Sequence, residues 1–87
     1  MKIYDFNGSK NICGKNVKAA RKALKLSQAD LAARLQTEGV NIERDSVSRI
    51  EIGTRFVADF ELLALSKALG VSAEYLLGAD EQPIIKA

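Results

Sequence analysis

Ile42-Glu43-Arg44-Asp45-Ser46-Val47-Ser48-Arg49-Ile50-Glu51-Ile52-Gly53-Thr54-Arg55 is the stretch on which the reading of the fold depends. At helical spacing Val47 and Ile50 form an apolar line, while Arg44, Asp45, Ser48 and Arg49 fall on the other side. This predicts a short helix over about 43–52, with one buried face and one hydrogen-bonding face suited to reading base edges. With Glu43 as N-cap, Ile42 and Val47 occupy the two positions of a hydrophobic staple. Asn41 is a better cap by side-chain chemistry, so the helix starts at Glu43 or about one turn earlier. Gly53 follows the last periodic residue and suits the left-handed conformation that closes a helix.

The rest of the chain supplies the elements that such a helix packs against. With 87 residues it is one small domain, able to bury ~60–65% of its unfolded surface. Apolar residues make up 47%, aromatics 6%, and proline occurs once, which favours an all-α bundle over disorder. The net charge of +2 conceals an asymmetry: residues 1–26 carry seven Lys/Arg against one acid, and residues 27–87 carry six against ten. One end is therefore suited to meet a polyanion while the remainder repels it. Lys15, Lys18, Lys22 and Lys25 read mainly as the solvated face of a first helix, with one or two of them near phosphate.

Cys13 is the only cysteine and histidine is absent. No internal disulfide, zinc cluster or Cys/His catalytic pair can be assembled within one chain, so no metal, cofactor or enzymatic activity is expected. No apolar run approaches membrane-spanning length, and the N-terminus lacks a signal-peptide core, so a cytoplasmic location is expected.

Residues 1–13 read as an arm. Ile3, Tyr4 and Phe6 precede the turn signal Asn7-Gly8, and Ile12-Cys13-Gly14 follow, which allows an extended segment folded back on the domain. Its alternatives are a ragged terminus, or an arm touching DNA or a second subunit. The first helix is expected from Asn16 to Lys25, with Val17, Ala20 and Leu24 on its apolar stripe and Ala19 and Ala23 widening it. Arg21 borders that stripe and needs a partner. Ser27 opens a second helix in a capping box with Asp30, flanked by the staple pair Leu26 and Leu31. Leu31, Ala32 and Leu35 form its core face, and Gly39 is its stop. Asp59 to Leu69 reads as a fourth helix, with Leu62, Leu65 and Leu69 on one face beside Leu63, and Gly70 ends it. Ser72 caps a short fifth helix with Val71 and Leu76 as its staple. Tyr75, Leu76 and Leu77 complete the core or contribute to a dimer contact. Residues 79–87 read as a tail in which Pro83 interrupts helix and Ile84 and Ile85 are candidates for docking on a neighbouring chain.

Ser48-Arg49-Ile50-Glu51-x-Gly53-x-Arg55, preceded by Ser27-Gln28-Ala29-Asp30-Leu31-Ala32 and followed by Leu62-Leu63 and Ala68-Leu69-Gly70-Val71-Ser72, resembles the Cro/C1-type helix-turn-helix family of bacterial and phage DNA-binding regulators. The resemblance spans residues 14–78 and rests on several motifs in the right order. It implies a five-helix lambda-repressor-like domain and an ion pair between Arg21 and Glu51. It also implies that Arg44, Asp45, Ser48 and Arg49 reach the major groove and that Gln28, Ser46, Thr54 and Arg55 lie along phosphates. The residue types suit these roles: arginine donates two parallel hydrogen bonds to guanine, aspartate accepts from cytosine, and serine does either. Asp45 has a second reading, an intrahelical pair with Arg49.

The sequence departs from the family between helices two and three, where the connection is about five residues longer than the usual tight turn. Either the second helix is extended or the turn has become a loop. One such helix reads few base pairs, so a homodimer on double-stranded DNA is expected, acting most simply as a repressor. The alternative is a protein-binding module of the same fold, such as an antitoxin that neutralises a partner and regulates its own promoter.

Overall fold

The computed structural model describes residues 5–80. Five helices follow in order: α1 Gly14–Ala23, α2 Gln28–Thr37, α3 Arg44–Ile52, α4 Asp59–Leu69 and α5 Ala73–Leu76. This is the all-helical architecture expected from the apolar periodicities. Ile3 and Tyr4 of the arm, and Pro83, Ile84 and Ile85 of the tail, lie outside the described residues.

Local chemistry accounts for most helix ends. Ser27 accepts from the Asp30 N–H at 3.0 Å while Asp30 accepts from the Ser27 N–H at 2.9 Å, which completes the capping box of α2. Ser72 caps α5 by accepting from the Tyr75 N–H at 3.0 Å. α4 uses half of the same device: Glu61 accepts from the Ala58 N–H at 3.0 Å, and alanine has no side-chain oxygen to return the bond. At α3, Glu43 is the N-cap without a side-chain cap bond. The start is fixed instead by Ile42 and Val47, both fully buried in the staple arrangement. Gly53 closes α3 with φ at 95°, a conformation that costs a residue with a Cβ about 1–2 kcal/mol.

α1 starts two residues earlier than the apolar pattern suggested and ends two residues earlier. Asn11 explains the start, because its Oδ1 accepts from the Gly14 N–H at 2.8 Å. Lys25, in the left-handed region at φ 59°, turns the chain away just after the end. The expected stripe is consequently narrower. Gly14, Val17, Ala20 and Arg21 are buried, whereas Ala19, Ala23 and Leu24 are exposed. Leu24 follows the last helical residue, so the helical period no longer aims it inward.

The extra length between α2 and α3 is a loop over residues 38–43, after an α2 of ten residues. Its apolar residues keep it on the domain: Val40 is half-buried and its N–H bonds to the Leu35 carbonyl at 3.0 Å, while Ile42 joins the core. The insertion thus alters the approach to α3 without detaching it.

Val17, Leu31, Leu35, Ile42, Val47, Ile50, Leu65 and Leu76 form the centre of the core, so every helix contributes. Leu76 is therefore interior, while Leu77 is exposed. Side chains of one helix satisfy the carbonyl end of another. Arg34 of α2 donates to the Ala68 carbonyl of α4 at 3.0 Å, and Asn16 of α1 donates to the Tyr75 carbonyl of α5 at 2.9 Å. The Ser66 hydroxyl of α4 donates to the Val71 carbonyl just past the end of the helix at 2.6 Å.

Gly14 has a specific steric role. A Cβ there would collide with the Ile50 carbonyl oxygen, so the first turn of α1 sits against the last turn of α3. Alanine normally favours a helix over glycine by about 0.5–1 kcal/mol. Here Gly14→Ala should reverse the sign and destabilise the protein by about 1–3 kcal/mol in urea denaturation, the usual cost of overpacking.

Candidate nucleic-acid interface

Alternation of burial along α3 separates support from contact. Val47, Ile50 and Glu51 are buried, Arg44, Asp45 and Arg49 are exposed, and Ser46 and Ser48 are intermediate. The four residues expected to read bases thus lie on the outward side of a helix whose other side is core. Asp45 in the first turn and Arg49 in the last complement the helix dipole. Asp45 meets Arg44 at 3.3 Å instead of pairing with Arg49. That exposed pair is weak and leaves both side chains available to a partner.

The inner side is held by a buried polar cluster. Arg21 Nε donates to Glu51 Oε2 at 2.6 Å and its Nη2 donates to Oε1 at 3.0 Å, a bidentate fork. Arg21 Nη1 also donates to the Leu26 carbonyl at 2.8 Å, beside the start of α2. Gln28 Nε2 adds a third donor to Glu51 at 3.1 Å. α1, α2 and α3 therefore converge on one carboxylate, and no buried side-chain N or O among the described residues lacks a hydrogen-bond partner. The bond from Glu51 pushes Arg21 still further toward its charged form. Breaking a buried pair on one side leaves an uncompensated charge, which typically costs about 3–5 kcal/mol. Arg21→Met and Glu51→Met should each cost that much in denaturant melts, and the double variant should be more stable than either single one.

Beyond α3, Arg55 Nη1 and Nη2 donate to the two oxygens of Glu61 at 3.0 and 3.1 Å, and Nη1 also donates to the Phe56 carbonyl at 3.1 Å. This closes the loop between α3 and α4. Arg55 is intermediate in exposure and Thr54 is exposed, so the part of the loop nearest α3 reaches the surface. The bond from Arg55 holds the Glu61 carboxyl below the usual carboxylate range, with the Ala58 N–H acting in the same direction. A depressed carboxylate contributes stability that is present above its unfolded pKa and lost as the pH falls through its folded value. Glu61→Gln should thus lower the melting temperature at neutral pH. It should also make the decline in stability below about pH 5 shallower than in the parent.

The arm contains a residue that the apolar pattern did not point to. Asn7 and Gly8, with φ at 52° and 85°, form the expected turn between Phe6 and Ser9. The returning segment crosses the end of α3, where the Lys10 N–H donates to the Gly53 carbonyl at 2.8 Å. Asn11 Nδ2 donates to the carbonyls of Ile50 at 3.0 Å and Arg55 at 2.7 Å. The available signal was an asparagine three residues before a glycine at a helix start. Arg34 and Asn16 were likewise missed, because their partners are carbonyls of other helices, and Glu61 because Ala58 lacks the side-chain oxygen that would mark a capping box.

Burial pushes the Cys13 thiol up to about 11, so it is a poor nucleophile at neutral pH. Among the described residues no group of His, Cys, Asp and Glu is placed to hold a metal, and no helix is long and apolar enough to cross a membrane.

A helix-turn-helix family pattern matches residues 17–76, which covers α2, α3 and the helices that frame them. The chain belongs to the Cro/C1-type helix-turn-helix family of DNA-binding regulators. Among solved structures, the c2 repressor of phage P22, in complex with a synthetic operator, is similar at 34% identity with a TM-score of 0.68; the match covers 80% of this chain and 98% of that one. The restriction-modification controller protein C.AhdI of Aeromonas hydrophila is similar at 30% identity with a TM-score of 0.65, covering 74% of this chain and 86% of that one. No curated protein sequence matches the chain. The family is one of DNA-binding regulators, and the P22 repressor was solved on an operator.

Proposed function

We propose that this protein is a sequence-specific regulator of transcription that binds double-stranded DNA as a homodimer, with α3 in the major groove, and acts as a repressor in the cytoplasm. The observation behind this reading is the outward row Arg44, Asp45, Ser48 and Arg49 on a helix whose inner face is locked by the core and by the Arg21–Glu51 pair. Arg44 and Arg49 match guanine edges, Asp45 matches the amino group of cytosine, and Ser48 accepts or donates. An acid facing DNA costs affinity wherever it finds no amino donor, so Asp45 favours discrimination over general adhesion.

Phosphates are assigned to Ser46, Thr54, the start of α2 and the edge of the α3–α4 loop. Gln28 stands at the first helical position of α2, where backbone N–H groups and the helix dipole favour an anion. Its side chain then serves Glu51 and phosphate together. Arg55 uses three donor contacts within the chain, and a guanidinium has five N–H groups, so Glu61 orients it without exhausting it.

Two copies are needed because one short helix spans too few base pairs to single out a site. Apolar surface for a second copy exists where Phe6, Ile12, Phe56 and Leu77 surround a depression of about 510 Å³. Repression requires only that the bound dimer occupy the promoter.

Selection of the purified protein against a randomised duplex library at near-physiological salt should enrich an inverted repeat. Arg49→Ala should then relax preference at one position of each half-site, at a cost of about 1–3 kcal/mol. Thr54→Val should weaken all duplexes alike. Binding that shows no enrichment and vanishes as salt rises would overturn the reading and favour a protein partner.

A further inference from the structure

We infer that Asn11 is a positioning residue for DNA recognition, one that sets the last turn of α3 and the following loop relative to α1; this rests on the reading of α3 as the base-contacting helix. The inference comes from where a single amide sends its hydrogen bonds. Its oxygen accepts from the Gly14 N–H at 2.8 Å, an orphan donor at the start of α1. Its nitrogen donates to the Ile50 carbonyl at 3.0 Å, in the last turn of α3, where that oxygen also accepts the Gly53 N–H, and to the Arg55 carbonyl at 2.7 Å. The start of α1, the last turn of α3 and the loop that follows it are thereby tied to one side chain, across 39 and 44 residues of sequence for the latter two.

Asparagine is the only short side chain with both kinds of group in this geometry. Aspartate keeps the acceptor and loses both donors, serine has one donor, and glutamine carries the amide one methylene too far. The close approach that brings the three segments together depends on Gly14, whose missing Cβ admits the Ile50 carbonyl oxygen. Neighbouring contacts act in the same sense: the Lys10 N–H holds the Gly53 carbonyl at 2.8 Å, and the Ser9 hydroxyl donates to the Asn11 carbonyl at 2.6 Å, keeping the strap folded.

The mechanical consequence follows from where α1 grips α3. Near its start α1 holds the Ile50 carbonyl through Asn11, and in its last turn it holds the Glu51 side chain through Arg21. The anchors on α1, Gly14 and Arg21, are about 10 Å apart along the helix axis. The two attachments meet α3 at neighbouring residues, one through backbone and one through side chain, and so pin its last turn against both ends of α1 in addition to the core contacts. The bond to the Arg55 carbonyl extends the clamp to the loop that faces phosphate. Base contacts and phosphate contacts are thus held in one register by a residue that touches neither.

The test compares Asn11→Asp and Asn11→Ala with the parent, using the operator obtained by selection and a scrambled duplex, at a temperature where denaturation curves show each protein folded. Asn11→Asp retains an acceptor for the Gly14 N–H, so a role limited to capping α1 survives in it. Both variants should lose operator affinity by roughly 5- to 100-fold, the range of one misplaced bidentate base contact. Asn11→Ala, which adds no charge, should bind the scrambled duplex as the parent does. Operator binding by Asn11→Asp at the parent level would overturn the inference and leave Asn11 a helix cap. A second measurement needs no variant: the Asn11 side-chain N–H protons should exchange with solvent far more slowly than those of exposed amides, and fast exchange would also overturn it. A parent protein that prefers no duplex would remove the base-reading role and this inference with it, and that failure is visible before any variant is compared.

Discussion

The carboxylate of Glu51 is the point on which the structure depends. It lies in the interior, where a bare charge is costly, and it accepts three hydrogen bonds: two from Arg21 and one from Gln28. Those donors belong to α1 and to the first turn of α2, while the carboxylate belongs to α3. Satisfying one charge therefore requires three helices to stand in one arrangement. Apolar contacts alone tolerate small slides and rotations, but a bidentate fork does not. The pair adds directional precision to a core already formed by Val17, Leu31, Val47, Ile50 and Leu65.

The same logic extends outward through caps. In a domain of this size each helix is short, so a large share of its peptide groups are terminal and lack partners within the helix. This chain satisfies them by reaching across: Asn11 to α3, Arg34 to α4 and Asn16 to α5. Glu61 both caps α4 and receives Arg55, which holds the α3–α4 loop against the start of α4. The outward face of α3 is thereby carried on a support fixed at its first turn by the staple, along its inner side by the core, and at its last turn by Glu51 and Asn11. A surface presented so rigidly suits recognition that depends on hydrogen-bond geometry, because little ordering is required at the moment of binding.

The insertion between α2 and α3 shows how such a support absorbs a change in length. The loop over 38–43 re-enters the core through Ile42, directly before the N-cap of α3. Whatever path the preceding residues take, the chain reaches α3 at the same buried anchor. The variable length lies where the helix–turn–helix unit is least constrained, and the contact face beyond it keeps its orientation.

Short-range signals were strong enough to read without coordinates. Ser27 with Asp30, Ser72, Gly53 and the spacing of Val47 with Ile50 mark helix ends and buried faces, because caps, staples and apolar periodicity act over one or two turns of chain. The partnership of Arg21 with Glu51 was reached through family resemblance, and packing supplied its bidentate geometry. Other features lay beyond local patterns. The exposure of Ala19, Ala23 and Leu24 reflects where α1 stops and which side its neighbours cover. Asp45 turning to its neighbour Arg44 and Arg55 meeting Glu61 across the α3–α4 loop are choices among several near partners, whereas packing alone brings Asn11 to the carbonyls of Ile50 and Arg55 at about 3 Å. The amino-acid order contained the helices and the outward row of polar side chains, since each is a property of neighbouring residues. The register in which those helices are clamped emerged on folding, since a hydrogen bond between residues 11 and 55 has no local signature in the chain.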